Sequence, residues 1–301
     1  MSTVLLVRHG RTALTGPVLA GRAPGVCLDQ RGRAQAEAVA ARLAALPLAA
    51  IVTSPLERCA QTAAIIAAAQ AGARSAAQSG APSAVQFGDG SAAWLGARVA
   101  RSGNGSATQP GAQPGALAPV TDERLIECQY GAWTSRPVDE LYREPLWRVV
   151  QAQPSAARFP DGESLPELSA RAIAAVRDWD RRLGPDAVWV ACSHGDVIKA
   201  VLADAVGAHL DQFQRIVVDP CSVSAVRYTR ARPYLLRAND VGGSLAALAP
   251  PLGRADYEAE PGGDSALGAD PELGGAHPGG AAYPGDDADA TPGGGAGGGA
   301  L

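Results

Sequence analysis

Val4-Leu5-Leu6-Val7-Arg8-His9-Gly10 runs four apolar residues directly into a cation, an imidazole and a glycine. A short β-branched and leucine run of this kind reads as a strand buried on both faces, the type found in parallel sheets covered by helices. Ligands of open α/β sheets bind at the carboxyl ends of strands, so Arg8, His9 and Gly10 stand where chemistry is expected. The pattern returns far along the chain, where the apolar run Val188–Ala191 leads to Ser193-His194-Gly195.

Between these two runs the sequence alternates helix and strand. Ala36, Val39, Ala40, Leu43 and Leu46 recur at helical spacing, and Pro47 ends that helix before a short strand at Ile51 and Val52. Ser54, Pro55 and Glu57 then have the spacing of a capping box heading a second helix. A second box, Ser164 with Glu167, heads a helix with the stripe Leu165, Leu168, Ala172, Val176, Trp179 and Leu183. Residues 222–228 and 234–236 read as closing strands near the sheet edge. The pattern predicts an α/β three-layer sandwich, a mostly parallel central sheet flanked by helices.

Two segments do not fit a core. Residues 68–119 are dominated by Ala, Ser, Gly, Gln and Pro, with Trp94 and a few aliphatic residues as anchors, and read as a flexible insertion. Residues 246–301 read as a disordered, Gly/Pro-rich acidic tail. One domain over residues 1–245 is therefore expected. From Pro250 onward nine acidic residues face one arginine, so the chain's formal charge of -4 conceals a body of +4 over residues 1–249. That charge suits an anionic small molecule and is too weak for nucleic acid. Five cysteines without a C-x-x-C pair favour buried thiols over disulfides or zinc. Arg8 ends the first apolar run long before a signal or membrane segment could form, so a cytoplasmic protein with no membrane partner is expected. Lys199, the only lysine, is expected to pack its stem and keep its ammonium in water.

Neutral imidazole can attack phosphorus, and Gly10 lets backbone approach a phosphate closely. Arg58 falls in the first turn of its helix, where free N–H groups and the helix dipole already favour an anion. A second strand-end imidazole, His194, could donate to a phosphoryl oxygen from the side opposite Arg8. Each residue alone has a bland reading, a core histidine or a solvated arginine.

Together they resemble the histidine phosphatase superfamily, the phosphoglycerate mutase-like group, over roughly residues 3–70 and 120–230. The matching strings are LLVRHGRT at 5–12, SPLERCAQTA at 54–63, LIECQYGAW at 125–133, FPDGES at 159–164 and SHG at 193–195. The resemblance implies that His9 is the nucleophile, that Arg8, Arg58 and His194 form the phosphate pocket, and that Glu127 gives and takes the proton. It adds Thr15 and Gly21 to the phosphate-binding set and implies no metal and no cofactor. The chain departs from the family at Arg11 and Thr15, where Glu or Gln and Asn are common, at Ser135 and Asp161, where glycine is usual, and at Cys59, where alanine is usual. A phosphomonoester hydrolase acting on a small phosphorylated metabolite is expected, with a phosphomutase as the alternative and a non-catalytic phosphate-binding or interaction module as a third reading. The compact stretch from Glu127 to His194 favours the hydrolase. Only Arg136, Arg143, Arg148 and Arg158 there could meet a substrate carboxylate.

Overall fold

The computed structural model describes residues 2–78 and 117–242. In chain order it holds β1 (Thr3–Arg8), α1 (Gln30–Leu43), β2 (Leu48–Thr53), α2 (Glu57–Gln78), β3 (Val120–Thr121), α3 (Val138–Leu141), α4 (Pro145–Ala152), α5 (Leu165–Leu183), β4 (Val188–Ser193), α6 (Gly195–Ala205), β5 (Val223–Tyr228) and β6 (Pro233–Asp240). The strands form one sheet in the order β3-β2-β4-β1-β5-β6. The first four are parallel to their neighbours; β5 runs antiparallel to β1, and β6 antiparallel to β5 at the edge. This is a mixed, mostly parallel α/β sheet, as the strand–helix alternation predicts.

Because side chains of a strand alternate between faces, β1 feeds two cores. Val4 and Leu6 join Val52, Trp189 and Ala191 under α5 and α6. Leu5 and Val7 join Ile51, Val190 and Cys192 under α1 and α2. All of these are at most 6% exposed. Burying such a side chain is worth about 1.5–3 kcal/mol, which fixes strand register firmly where both faces are covered. Register then decides what stands at the carboxyl ends. Arg8 lies opposite Ser193 in the β1–β4 pair, and Thr53 opposite Cys192 in the β2–β4 pair. The ladder closes with His9 N–H donating to the Ser193 carbonyl (3.0 Å) and Ser54 N–H to the Cys192 carbonyl (3.0 Å). Three loops that carry chemistry thus leave the sheet side by side.

Several local expectations change. The helix expected from Ala36 to Leu46 ends at Leu43, and Leu46 is 37% exposed in the following turn. The Ser54–Glu57 capping box does not form, because both side chains have other partners. The Ser54 hydroxyl meets His194 Nε2 at 2.7 Å, and Glu57 accepts from the Gly25 N–H at 2.9 Å. The Ser164–Glu167 box is complete, with Pro at the first turn of α5. Helix α2 continues to Gln78, so the insertion boundary drawn at residue 68 falls inside a helix: an alanine-rich stretch is a good helix former whatever its complexity. Residues 79–116 of that segment and the tail from residue 246 lie outside the described residues. Lys199 is not solvated. It is 4% exposed because α6 is covered on nearly every side, and its Nζ donates to Gln214 Oε1 (3.1 Å).

Ser135 and Asp161 adopt φ of 65° and 56°. The left-handed region costs a side chain about 1–2 kcal/mol, which accounts for the family's preference for glycine at both places. Among the described residues no helix is long and apolar enough to cross a membrane.

Candidate active site

The five residues singled out from sequence converge at the ends of β1, β2 and β4. Arg8, His9, Arg58, Glu127 and His194 are between 0 and 5% exposed. The His9 and His194 ring centroids lie 5.2 Å apart, with the rings edge to face. His194 Nδ1 stands 4.0 Å from Glu127 Oε2.

Hydrogen-bond partners set the state of each ring. His9 Nδ1 lies 2.8 Å from the Gly10 carbonyl, which can only accept, so Nδ1 carries the hydrogen. In the neutral ring the lone pair is then on Nε2, which accepts from Arg58 Nε at 3.2 Å. His194 Nε2 faces the Ser54 hydroxyl, which itself accepts from Leu56 N–H at 3.4 Å. Glu127 Oε2, 4.0 Å from Nδ1, favours the tautomer with its hydrogen on Nδ1, in which the Ser54 hydroxyl donates to Nε2. Burial, followed by the positive charge of the neighbouring Arg58 and Arg8, holds His194 well below the ordinary imidazole value, so the ring is neutral.

The guanidiniums are tied down at their backs. Arg8 Nη1 donates to the Val218 carbonyl (2.6 Å), and Arg58 Nη2 to the Gly21 carbonyl (2.7 Å). Arg58 Nη1 is buried with no hydrogen-bond partner among the described residues. A buried donor of this kind calls for an acceptor. Thr62 fixes the geometry by donating to the Arg58 carbonyl (2.8 Å) and accepting from Gly10 N–H (3.2 Å). A Cβ on Gly10 would stand 2.4 Å from the Gly32 carbonyl oxygen, so glycine is needed there for packing.

Glu127 sits in the loop after the 3₁₀ turn Glu123–Leu125, with Oε1 accepting from Cys128 N–H at 2.8 Å. The Ser193 hydroxyl, at the end of β4, donates to the Leu125 carbonyl (2.7 Å) and draws this loop to the strand ends. Thr15 and Gly21 have supporting places. Thr15 Oγ1 accepts from Thr12 N–H (2.8 Å) within the turn after Gly10, and Gly21 acts through the carbonyl that holds Arg58. Among the described residues no group of three or more His, Cys, Asp or Glu side chains could hold a metal ion.

Sequence reasoning missed Ser54 as a partner of His194, because its spacing to Glu57 pointed to a helix cap. It also missed Arg22, Glu163 and Arg171, which hold the backbone around Glu127. Glu163 lay within the FPDGES string, whereas nothing marks Arg22 among the chain's many arginines.

A sequence model of the histidine phosphatase superfamily, branch 1, matches residues 4–77 and 106–241. The chain belongs to that superfamily, whose members are phosphatases or phosphomutases. A protein of Yersinia enterocolitica named probable phosphoglycerate mutase GpmB is 28% identical over 237 residues, 78% of this chain and 88% of that protein. Among solved structures, Bacillus stearothermophilus YhfR superposes with a TM-score of 0.61 at 22% identity, covering 80% of this chain and 98% of that one. Entamoeba histolytica phosphoserine phosphatase, in complex with 3-phosphoglyceric acid, gives 0.58 at 18% identity with the same coverage. At these identities the two structures establish the shared fold.

Proposed function

We propose that the chain hydrolyses phosphomonoesters of small metabolites through a phosphohistidine on His9. The observation that carries this reading is the tautomer of His9: Nδ1–H is fixed on the Gly10 carbonyl, which leaves the Nε2 lone pair beside Arg58. On arrival of a phosphate dianion, Arg58 Nε and Nη1, Arg8 and His194 Nδ1–H are the donors for its oxygens. The Nε2 lone pair forms the N–P bond as the ester P–O bond breaks. The departing alkoxide takes the proton of Glu127, whose neutral form the dianion favours. Water then attacks phosphorus, gives its proton to Glu127, and the N–P electrons return to Nε2, so one ester and one water yield one alcohol and one phosphate. Two guanidiniums supply the charge neutralisation that other phosphatases take from a metal ion.

A mutase must hold its substrate for return transfer. Of the four arginines that could meet a substrate carboxylate, Arg136 pairs with Glu144 (2.7 Å) and Arg158 with Glu167 (2.6 Å), which supports the hydrolase. The test is a brief incubation with a labelled phosphomonoester, stopped in alkaline detergent. Label should be lost in acid, stable in base and absent from His9→Ala, with inorganic phosphate as the product. Label that survives in His9→Ala removes His9 as the nucleophile, and label returned to substrate without phosphate release favours the mutase.

A further inference from the structure

The loop that presents Glu127 has little regular structure of its own, yet its main chain is held on every side. Arg171, on α5, donates to the carbonyls of Arg124 (2.8 Å), Ile126 (2.6 Å) and Glu127 (3.1 Å). Arg22 Nε donates to the same Glu127 carbonyl at 2.7 Å. Glu163 ties the two arginines together, pairing with Arg22 (2.9 Å) and Arg171 (2.6 Å) while accepting from Gln129 N–H (2.8 Å). Burial alone would raise the Glu163 carboxyl, but its bonds to Arg171 and Arg22 outweigh that and hold it below the usual carboxylate range.

Arg22 differs from Arg171 in what precedes it. The neighbouring Gly21 carbonyl accepts from Arg58 Nη2 at 2.7 Å. Two consecutive residues therefore hold opposite sides of the site, Gly21 the phosphate-binding guanidinium and Arg22 the backbone of the carboxylic acid. Gly21 has φ of +52°, and a Cβ there would stand 2.9 Å from the Tyr130 ring, so the turn is specific to glycine. Arg171 anchors three carbonyls and its loss would loosen the whole loop, whereas among the described residues Arg22 hydrogen-bonds to the loop at the Glu127 carbonyl alone.

We infer that Arg22 is a positioning residue: through the Glu127 carbonyl it sets the distance between the acid's carboxyl and the oxygen that leaves phosphorus. The inference rests on the reading of Glu127 as proton donor. General acid catalysis depends on placement and matters in proportion to the basicity of the leaving oxygen. Displacing the carboxyl should therefore slow esters of poor leaving groups selectively.

Arg22→Met, Arg22→Lys and Glu127→Gln are compared with the unaltered chain in single-turnover phosphorylation by an alkyl phosphate and by nitrophenyl phosphate, with inorganic phosphate as a competing ligand. Glu127→Gln should lose about 10²- to 10⁴-fold with the alkyl ester and far less with the nitrophenyl ester. Arg22→Met should lose about tenfold with the alkyl ester and less than about twofold with the other, a fraction of the same general-acid contribution. Arg22→Lys should recover part of the loss, and the inhibition constant of phosphate should stay constant in both. The Arg22 side chain is 29% exposed, so either variant should fold, and if the Met variant does not, an intermediate ester contrast in Arg22→Lys carries the test. Contrast in Glu127→Gln without contrast at Arg22 overturns the positioning role alone. Contrast in neither overturns the acid assignment and this role with it. A weakened phosphate constant makes Arg22 a substrate contact instead.

Discussion

Ser54→Ala isolates the control of one tautomer. Ser54 and His194 are both 0% exposed, and the Oγ–Nε2 separation of 2.7 Å is that of a good hydrogen bond. Removing the hydroxyl leaves Nε2 a buried acceptor with no oxygen donor, a cost of about 1–3 kcal/mol. The ring can relieve this by moving its hydrogen from Nδ1 to Nε2, where the Cys59 sulfur lies 3.4 Å away. Nδ1 then turns a lone pair toward the site, and a phosphoryl oxygen that would have met a donor meets an acceptor. Both routes lead to similar numbers. Phosphorylation of the enzyme should slow about 10- to 100-fold, or about 1.4–2.7 kcal/mol of transition-state stabilisation. The melting temperature should drop by about 3–10 °C for a folded body of this size. Rapid-quench single turnover reads the first quantity and calorimetry the second. Ser54→Thr keeps the hydroxyl and should recover most of the rate. A Ser54→Ala protein that melts earlier but phosphorylates at the unaltered rate refutes the tautomer argument and leaves Ser54 a packing role.

Three further outcomes follow from the geometry. Gly10→Ala forces a Cβ to 2.4 Å from one backbone oxygen and should cost about 3 kcal/mol in urea unfolding; an unchanged midpoint would mean that the turn is free to shift. Arg58→Lys loses both the Gly21 carbonyl bond and the forked donors, so alkyl and nitrophenyl esters should slow alike, by about 10²- to 10³-fold; a loss confined to one ester would assign Arg58 to the leaving group. His194 is held far below its ordinary 6.5 when folded, so below that pH the unfolded chain binds the extra proton. Its contribution is intact above 6.5 and lost as pH falls, by up to about 1.4 kcal/mol per unit. The stability difference between the unaltered chain and His194→Asn should accordingly shrink between about pH 7.5 and about pH 5.5, and a constant difference would contradict a neutral buried ring.

Patterns of local origin were legible in the chain itself. The run from Val4 to Val7 could only be a doubly buried strand, the α5 stripe fixed one helix face, and Ser164 with Glu167 capped that helix as spacing alone requires. The histidines at the two strand ends were visible for the same reason, since their position depends on where an apolar run stops. Ser54 and Lys199 defeated the same reasoning. A serine before Pro and Glu satisfies every local rule for a cap, but a lone pair 140 residues away competes for its hydroxyl and wins. A lysine on a helix is solvated by default, but α6 is packed on nearly all sides and Gln214 takes the ammonium. Arg22 carried no signal at all, because an arginine's partner depends on which carbonyl folding brings within reach. Periodicity depends on neighbours a few residues apart, and the sequence determines it. Tautomers, the direction of a buried donor and the placement of Glu127 depend on groups joined only when β1, β2 and β4 align in register, and tertiary structure alone decides those.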